Sequence, residues 1–109
     1  MAVETRKVLG QSLPLSGVLT DAYTVPAATQ AIVSSFTMCN EGAATKTRLS
    51  VAVAGAADAL SQYLVYDAPL NANETQGFTL GVTLGPGDVV RAYSQGGSVA
   101  FSIFGVQLS

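Results

Sequence analysis

The sequence predicts an all-β protein: a single-domain antiparallel β-sandwich, jelly-roll-like, with seven to eight strands. Three observations carry this. Apolar and small polar residues alternate with a period of two through most of the chain. Turn-forming residues interrupt that alternation at roughly the 8–12-residue spacing of sandwiches and barrels. The length, 109 residues, suits one domain with its own core and not two. Residues 1–6 are expected to form a flexible N-terminal arm and residues 7–109 the β-sandwich domain.

The segment KVLGQSLPLS over 7–16 reads as a strand broken by Pro14, and proline confines such a strand to a sheet edge. DAYTVP over 21–26 is a short strand ending at Pro26. From Thr29, TQAIVSSFTMCN predicts a long strand with Ile32, Ser34, Phe36 and Met38 on one face. Ala31, Val33, Ser35, Thr37 and Cys39 fall on the other. Asn40–Gly42 is a turn. TKTRLSVAV follows, with Thr47, Leu49, Val51 and Val53 inward and Lys46, Arg48 and Ser50 outward. AGAADAL over 54–60 is a loop with at most one helical turn, because Gly55 and the short length oppose a helix. QYLVYD over 62–67 alternates again, and APLNANE over 68–74 is a loop. QGFTLGVTL predicts Phe78, Leu80, Val82 and Leu84 inward, with Gly77, Thr79, Gly81 and Thr83 outward. After the GPGD turn at 85–88 come VVRAYS, the QGG turn and the final strand SVAFSIFGVQL over 98–108.

Composition excludes several function classes. Hydrophobic types make up 49% of the chain and charged types 11%, against roughly a quarter charged in a typical domain. Mean hydropathy is +0.40. Yet no run approaches the ~18 apolar residues of a membrane-spanning helix. The start, MAVETRKVLG, lacks the apolar core of a signal peptide, so use without secretion and without a membrane is expected. Five basic residues and a net charge of −2 argue against a nucleic-acid partner. With no histidine and one cysteine, a His/Cys metal cage, a His-based triad and an internal disulfide framework are all excluded. No cofactor and no enzymatic activity are expected.

The residues that could carry chemistry each have a plainer reading. GPGD is followed by a strand rather than the helix a phosphate loop needs, so it reads as a turn. Asp67, Asn71, Asn73 and Glu74 are the densest set of oxygen ligands for a cation, but Asx turns account for the same residues. Cys39 has no basic partner and reads as a buried structural thiol. Asn73-Glu74-Thr75 matches the N-glycosylation pattern, which has no force without secretion. Tyr23, Tyr63, Tyr66 and Tyr93 could stack on sugars, although packing with the hydroxyl at the rim is the simpler role. Lys46 and Arg48 share a strand face that is either solvated or paired with an acidic neighbour.

The outward faces of 75–84 and 98–108 carry almost no charge, and such surfaces mark contacts with other chains. A compact monomer with scattered apolar exposure is the alternative. The candidate contact residues are Val3, Val8, Leu9, Leu13 and Leu15 in the arm and first strand, which could add to a neighbour by backbone pairing. Phe104, Val106 and Leu108 are the candidates for packing between copies.

The order YTVPAATQAIVSSFTMCN, TRLSVAVAGAADALSQYLVYD, PLNANETQGFTLGVTLGPGDVVRAYS and VAFSIFGVQL resembles small β-sandwich virion structural proteins of tailed bacteriophages. The resemblance covers about residues 8–108, and its most specific pieces are YTVP at 23–26, MCN at 38–40 and FGVQ at 104–107. It implies a virion component, made in the host cytoplasm. The expected role is a capsid decoration or cement protein that stabilises the head shell as an oligomer and partners the major capsid protein. Alternatives are a tail, neck or baseplate accessory protein and, from another class, a carbohydrate-binding module. LGPGDVVRAY at 84–93 also resembles the C-terminal part of trimeric jelly rolls of the complement and tumour-necrosis type, which implies a homotrimer with an apolar axis.

Overall fold

The computed structural model describes residues 3–109; Met1 and Ala2 of the expected arm lie outside the described residues. Eight strands form: β1 (Glu4–Ser12), β2 (Thr20–Thr24), β3 (Gln30–Asn40), β4 (Thr45–Ala52), β5 (Tyr63–Leu70), β6 (Thr75–Leu84), β7 (Val89–Ser94) and β8 (Val99–Leu108). They make two four-stranded antiparallel sheets, β1-β8-β3-β6 and β2-β7-β4-β5. The chain changes sheet at every connection except that between β4 and β5. This is the jelly-roll arrangement of an eight-stranded sandwich.

The alternation places one side of each strand in the core. Ala31, Val33, Phe36 and Met38 of β3 and Val99, Phe101 and Ile103 of β8 face Leu49 of β4 and Val90 and Ala92 of β7. Phe36 stacks on Phe78 of β6 with centroids 4.8 Å apart, an offset pair that adds to the area it buries. β6 follows its predicted faces from end to end, and β7 and β8 lie where the turns placed them. β1 is an edge strand as Pro14 required, but it begins earlier than expected. Glu4–Arg6 of the expected arm pair with Leu108–Val106. β5 runs on through 68–70, which were expected as loop.

The faces of β3 differ from strict alternation. A register shift between Val33 and Ser35 leaves Ser34 as an extra residue against β8. Ala31 and Val33 are therefore inward before it, and Phe36 and Met38 after it. Ile32 is left outside, away from the face it was expected to share with Phe36. Period-two reasoning fails at such a bulge, because one extra residue exchanges the faces beyond it. β1 bulges at Leu9, between Val8 and Gly10, directly across β8. Gly105 lies between the two bulges. A Cβ there would stand 2.0 Å from the Ile32 carbonyl oxygen and 3.1 Å from Leu9 Cδ1.

On β4, Ser50 was expected outside and Val53 inside. Ser50 is fully buried, and Val53 is exposed in a 3-10 turn. The reason is the long β4–β5 connection, which folds back over this end of the second sheet. Arg91 donates to the Ala56 and Gly55 carbonyls and Ala54 N–H donates to Asp88, fixing the connection in place.

At the other end, Asn40 is buried and ties three connections together. Its amide nitrogen donates to the Ala43, Leu70 and Asn71 carbonyls, and its oxygen accepts from Gly42 N–H and the Ser98 hydroxyl. The sandwich is closed along β1 and β2, where the Ala22 carbonyl lies within 2.2 Å of a Cβ built on Gly10. It is looser along β5 and β6, where an apolar gap is lined by residues including Phe36, Leu64 and Val82.

Gly105→Ala meets backbone on β3 rather than a movable side chain. It should lower unfolding stability by about 3 kcal/mol, the upper range of overpacking costs. Urea denaturation of the variant checks this; a midpoint equal to that of the parent would contradict the tight crossing.

Candidate interaction surface

The two outer faces of the sandwich have opposite chemistry. β3, β6 and β8 contain no Asp, Glu, Lys or Arg. Opposed residues in an antiparallel sheet point to the same side, so the pairings give the outer face of the first sheet directly. Phe104 is flanked by Val8 on β1 and Ser35 on β3. Val106 is flanked by Arg6 and Ile32, and Leu108 by Glu4 and Gln30. Beyond them β6 contributes Thr75, Gly77, Thr79, Gly81 and Thr83, all exposed. The result is an apolar strip along β8 beside a hydroxyl and glycine border. Charge enters only along β1, where Glu4 and Arg6 pair with each other at 3.2 Å.

The expected contact residues are thus sorted by the fold. Val8, Phe104, Val106 and Leu108 share this face, and Ile32 joins them. Sequence reasoning missed Ile32 because the bulge at Ser34 was not foreseen. Leu9 does not belong to the surface. It is the bulged residue of β1, only 8% exposed, and packs in the core. Val3 is exposed beside the C-terminus, bonded backbone to backbone with Ser109. Leu13 and Leu15 are exposed in the β1–β2 connection at the opposite end of β1, next to Val18. Two hydrogen bonds fasten that connection to the end of β7: Ser16 hydroxyl to the Gln95 carbonyl, and Gly17 N–H to the Ser94 carbonyl. β1 already pairs with β8 along its length. Cys39 is half-buried on the charge-free face rather than buried, opposite Ala100 and Thr75.

The outer face of the second sheet carries the other ion pairs found among the described residues: Arg91–Asp21 at 3.1 Å and Arg48–Asp67 at 2.6 Å. The Arg48 guanidinium also lies 4.3 Å from the Tyr66 ring centre and 4.7 Å from that of Tyr93, within cation–π range. Tyr63 packs edge-on to Tyr66 and donates to Asp58. Burial and that hydrogen bond raise the Tyr63 phenol above its usual range. Tyr63, Tyr66 and Tyr93, the alternative sugar platforms, are engaged by the chain itself, while Tyr23 is buried with its hydroxyl accepting from Gln107.

The possible cation ligands are not brought together. Asp67 is held by Arg48, and Asn71 and Glu74 close the β5–β6 turn by bonding each other. No group of three or more His, Cys, Asp or Glu able to hold a metal occurs among the described residues. GPGD is a turn: Gly87 has positive φ, and Asp88 accepts from Gly85 N–H and Ala54 N–H.

No family model and no curated protein matches the chain. Solved structures match its fold. A chain of the infectious bursal disease virus Gx strain is 10% identical with a TM-score of 0.56, matched over 99% of this chain and 32% of that one. A chain of a T13 particle of the same virus is 6% identical with a TM-score of 0.56, over 99% and 30%. This chain therefore spans about a third of the length of those chains. A chain of the acid-stable capsid of Helicobacter pylori bacteriophage KHP30 is 12% identical with a TM-score of 0.54, over 100% of this chain and 94% of that one. At these identities the likeness establishes a shared fold. That fold is seen in virus particles, and the matches are not specific to decoration proteins of tailed phages.

The Arg48 hydrogen bond, opposed by burial and reinforced by the Arg48 charge, holds the Asp67 carboxyl below its ordinary 3.8. Because the folded value is the lower one, the pair's contribution is present above about pH 4 and is lost as pH falls through the depressed value. Thermal melts of Asp67→Asn should therefore lie below the parent at pH 7 and converge with it toward pH 2. A gap that stays constant with pH would remove the ion pair as its cause.

Proposed function

We propose that the protein is a structural component of a virus particle, binding the head shell as an oligomeric decoration or cement protein. The observation that carries this reading is the outer face of the first sheet, charge-free across β3, β6 and β8, on a fold shared with chains of virus particles. Val8 and Ile32 are exposed and Phe104 and Val106 half-buried in a lone molecule, forming one continuous apolar strip. Burying it against another chain is favoured by about 25 cal/mol per Å2 of apolar surface removed from water. Nothing charged on β3, β6 or β8 has to be desolvated in the process.

The mechanism is adhesive. One copy bridges neighbouring subunits through this face, and the ion-paired face of the second sheet stays toward solvent. The exposed side chains of Leu13, Leu15 and Val18 offer a second apolar contact at the end of the sandwich. The trimer suggested by LGPGDVVRAY is the oligomer we favour on the shell, with the major capsid protein as the partner beneath it. The fold matches support a place in the head over one in the tail, neck or baseplate. A carbohydrate-binding role fits poorly, because Arg48 lies against the rings of Tyr66 and Tyr93.

Immunogold labelling of particles produced from the genome that encodes the chain should mark the head. Label confined to tails, or absent from particles, would overturn the assignment. Phe104→Asp should retain the parent circular dichroism spectrum while losing at least about tenfold in particle binding, the equivalent of 1.4 kcal/mol; unchanged binding would remove this face from the mechanism.

A further inference from the structure

We infer that the outer edge of β6 pairs antiparallel with β6 of a second copy, across a two-fold axis at Thr79. The contact goes beyond the shell reading and belongs to the purified chain alone.

The first observation is which edges are open. An exposed edge strand is a template for another strand unless something blocks it. β1 carries Glu4, Arg6 and Lys7, bulges at Leu9 and lies against β2. β2 has five residues and is bulged between Asp21 and Tyr23. β5 contains Pro69, a left-handed Asp67 and two register shifts. β6 has ten residues, with no charge and no proline. Its pairing with β3 shifts register at Leu80 and Gly81, which together oppose Ser34, while inward and outward residues still alternate from Thr75 to Leu84. Of the four edges, β6 alone carries neither charge nor proline.

The second observation is the pair of glycines. Gly77 and Gly81 sit in the interior of β6 without positive φ. A Cβ on Gly81 would meet nothing within 4 Å, and one on Gly77 only Thr37 Cγ2 at 3.8 Å, an ordinary contact. Gly81 falls at the register shift against β3, but no packing contact within the monomer accounts for Gly77. Glycine weakens a strand interior, and often marks a place where another backbone approaches.

The third observation is symmetry. The exposed residues read Thr75, Gly77, Thr79, Gly81, Thr83, a palindrome about Thr79. In an antiparallel pair centred there, Thr79 opposes its own copy, Gly77 opposes Gly81 and Thr75 opposes Thr83. On the inner side Phe78 opposes Leu80. Both remain half-buried in the single chain, on the side where β5 and β6 scarcely touch. Thr–Thr and aromatic–aliphatic neighbours are favourable cross-strand pairs. The second copy supplies hydrogen bonds to the free edge and apolar cover for Phe78 and Leu80 together.

Disulfide trapping tests the register. In a Cys39→Ser background, Thr79→Cys should form a disulfide-linked dimer under a mild copper oxidant, because directly opposed strand residues lie about 4.5–5.5 Å apart at Cα. Thr83→Cys alone should not, but should link to Thr75→Cys when the two proteins are mixed. Cross-linking of Thr79→Cys no faster than Thr83→Cys would overturn the pairing. In the untagged parent, Thr79→Lys places like charges opposite each other and should weaken the dimer at least about tenfold in analytical ultracentrifugation; an unchanged dimer, or a parent that is monomeric at high concentration, would overturn it as well. Phe104→Asp should leave the Thr79→Cys cross-link in place. Loss of particle binding with retained cross-linking separates a failure of the shell contact from a failure of this one.

Discussion

β8 passes between two bulged strands at Gly105, and the sidedness of the first sheet depends on that crossing. The extra residue at Ser34 lets β3 present Val33 before it and Phe36 after it to the same core. The extra residue at Leu9 sends a leucine inward from an edge strand. Both adjustments converge on one residue of β8, where a side chain would collide with the Ile32 carbonyl. Without them a strand of eleven residues would carry half its large side chains to the wrong side. The neutral outer face is the complement of this arrangement, since what the bulges keep inside is what the outside lacks.

Much of this was legible in the letters where strands are regular. β6 alternates without interruption, so Phe78 through Leu84 and Gly77 through Thr83 fell on their true faces. The turns at GPGD and QGG bracketed β7 correctly. The failures have physical causes that sequence periodicity does not encode. Ile32 and Leu9 were misplaced because a bulge depends on which strands become neighbours, and β1, β8 and β3 are far apart in the chain. Ser50 was misplaced because its cover comes from the β4–β5 connection, fastened by Arg91 and Asp88. The shortage of charge was visible at once; that it falls on three neighbouring strands, β8, β3 and β6, was not.

The segregation matters for what the molecule can do. Arg48 and Arg91 are held by carboxylates and by rings or carbonyls, on a polar face that satisfies its own charges. These pairs are only partly exposed, and they keep one side of the sandwich polar. The other side offers hydroxyls, glycines and an apolar strip. A molecule with one polar side and one neutral side has a defined orientation in any layer it joins. The Asn40 network makes the end of the sandwich rigid enough to hold that orientation, because three connections share one buried amide.

A contact made through β3, β6 and β8, strands without charges, does not feel the ions around it. Screening acts on charge pairs, over about 8 Å at physiological ionic strength, and β3, β6 and β8 have none to screen. Cohesion through this face would persist alike in dilute water and in brine. It would answer to temperature instead, since apolar association weakens on cooling. A layer held this way would loosen in the cold before it loosened in salt.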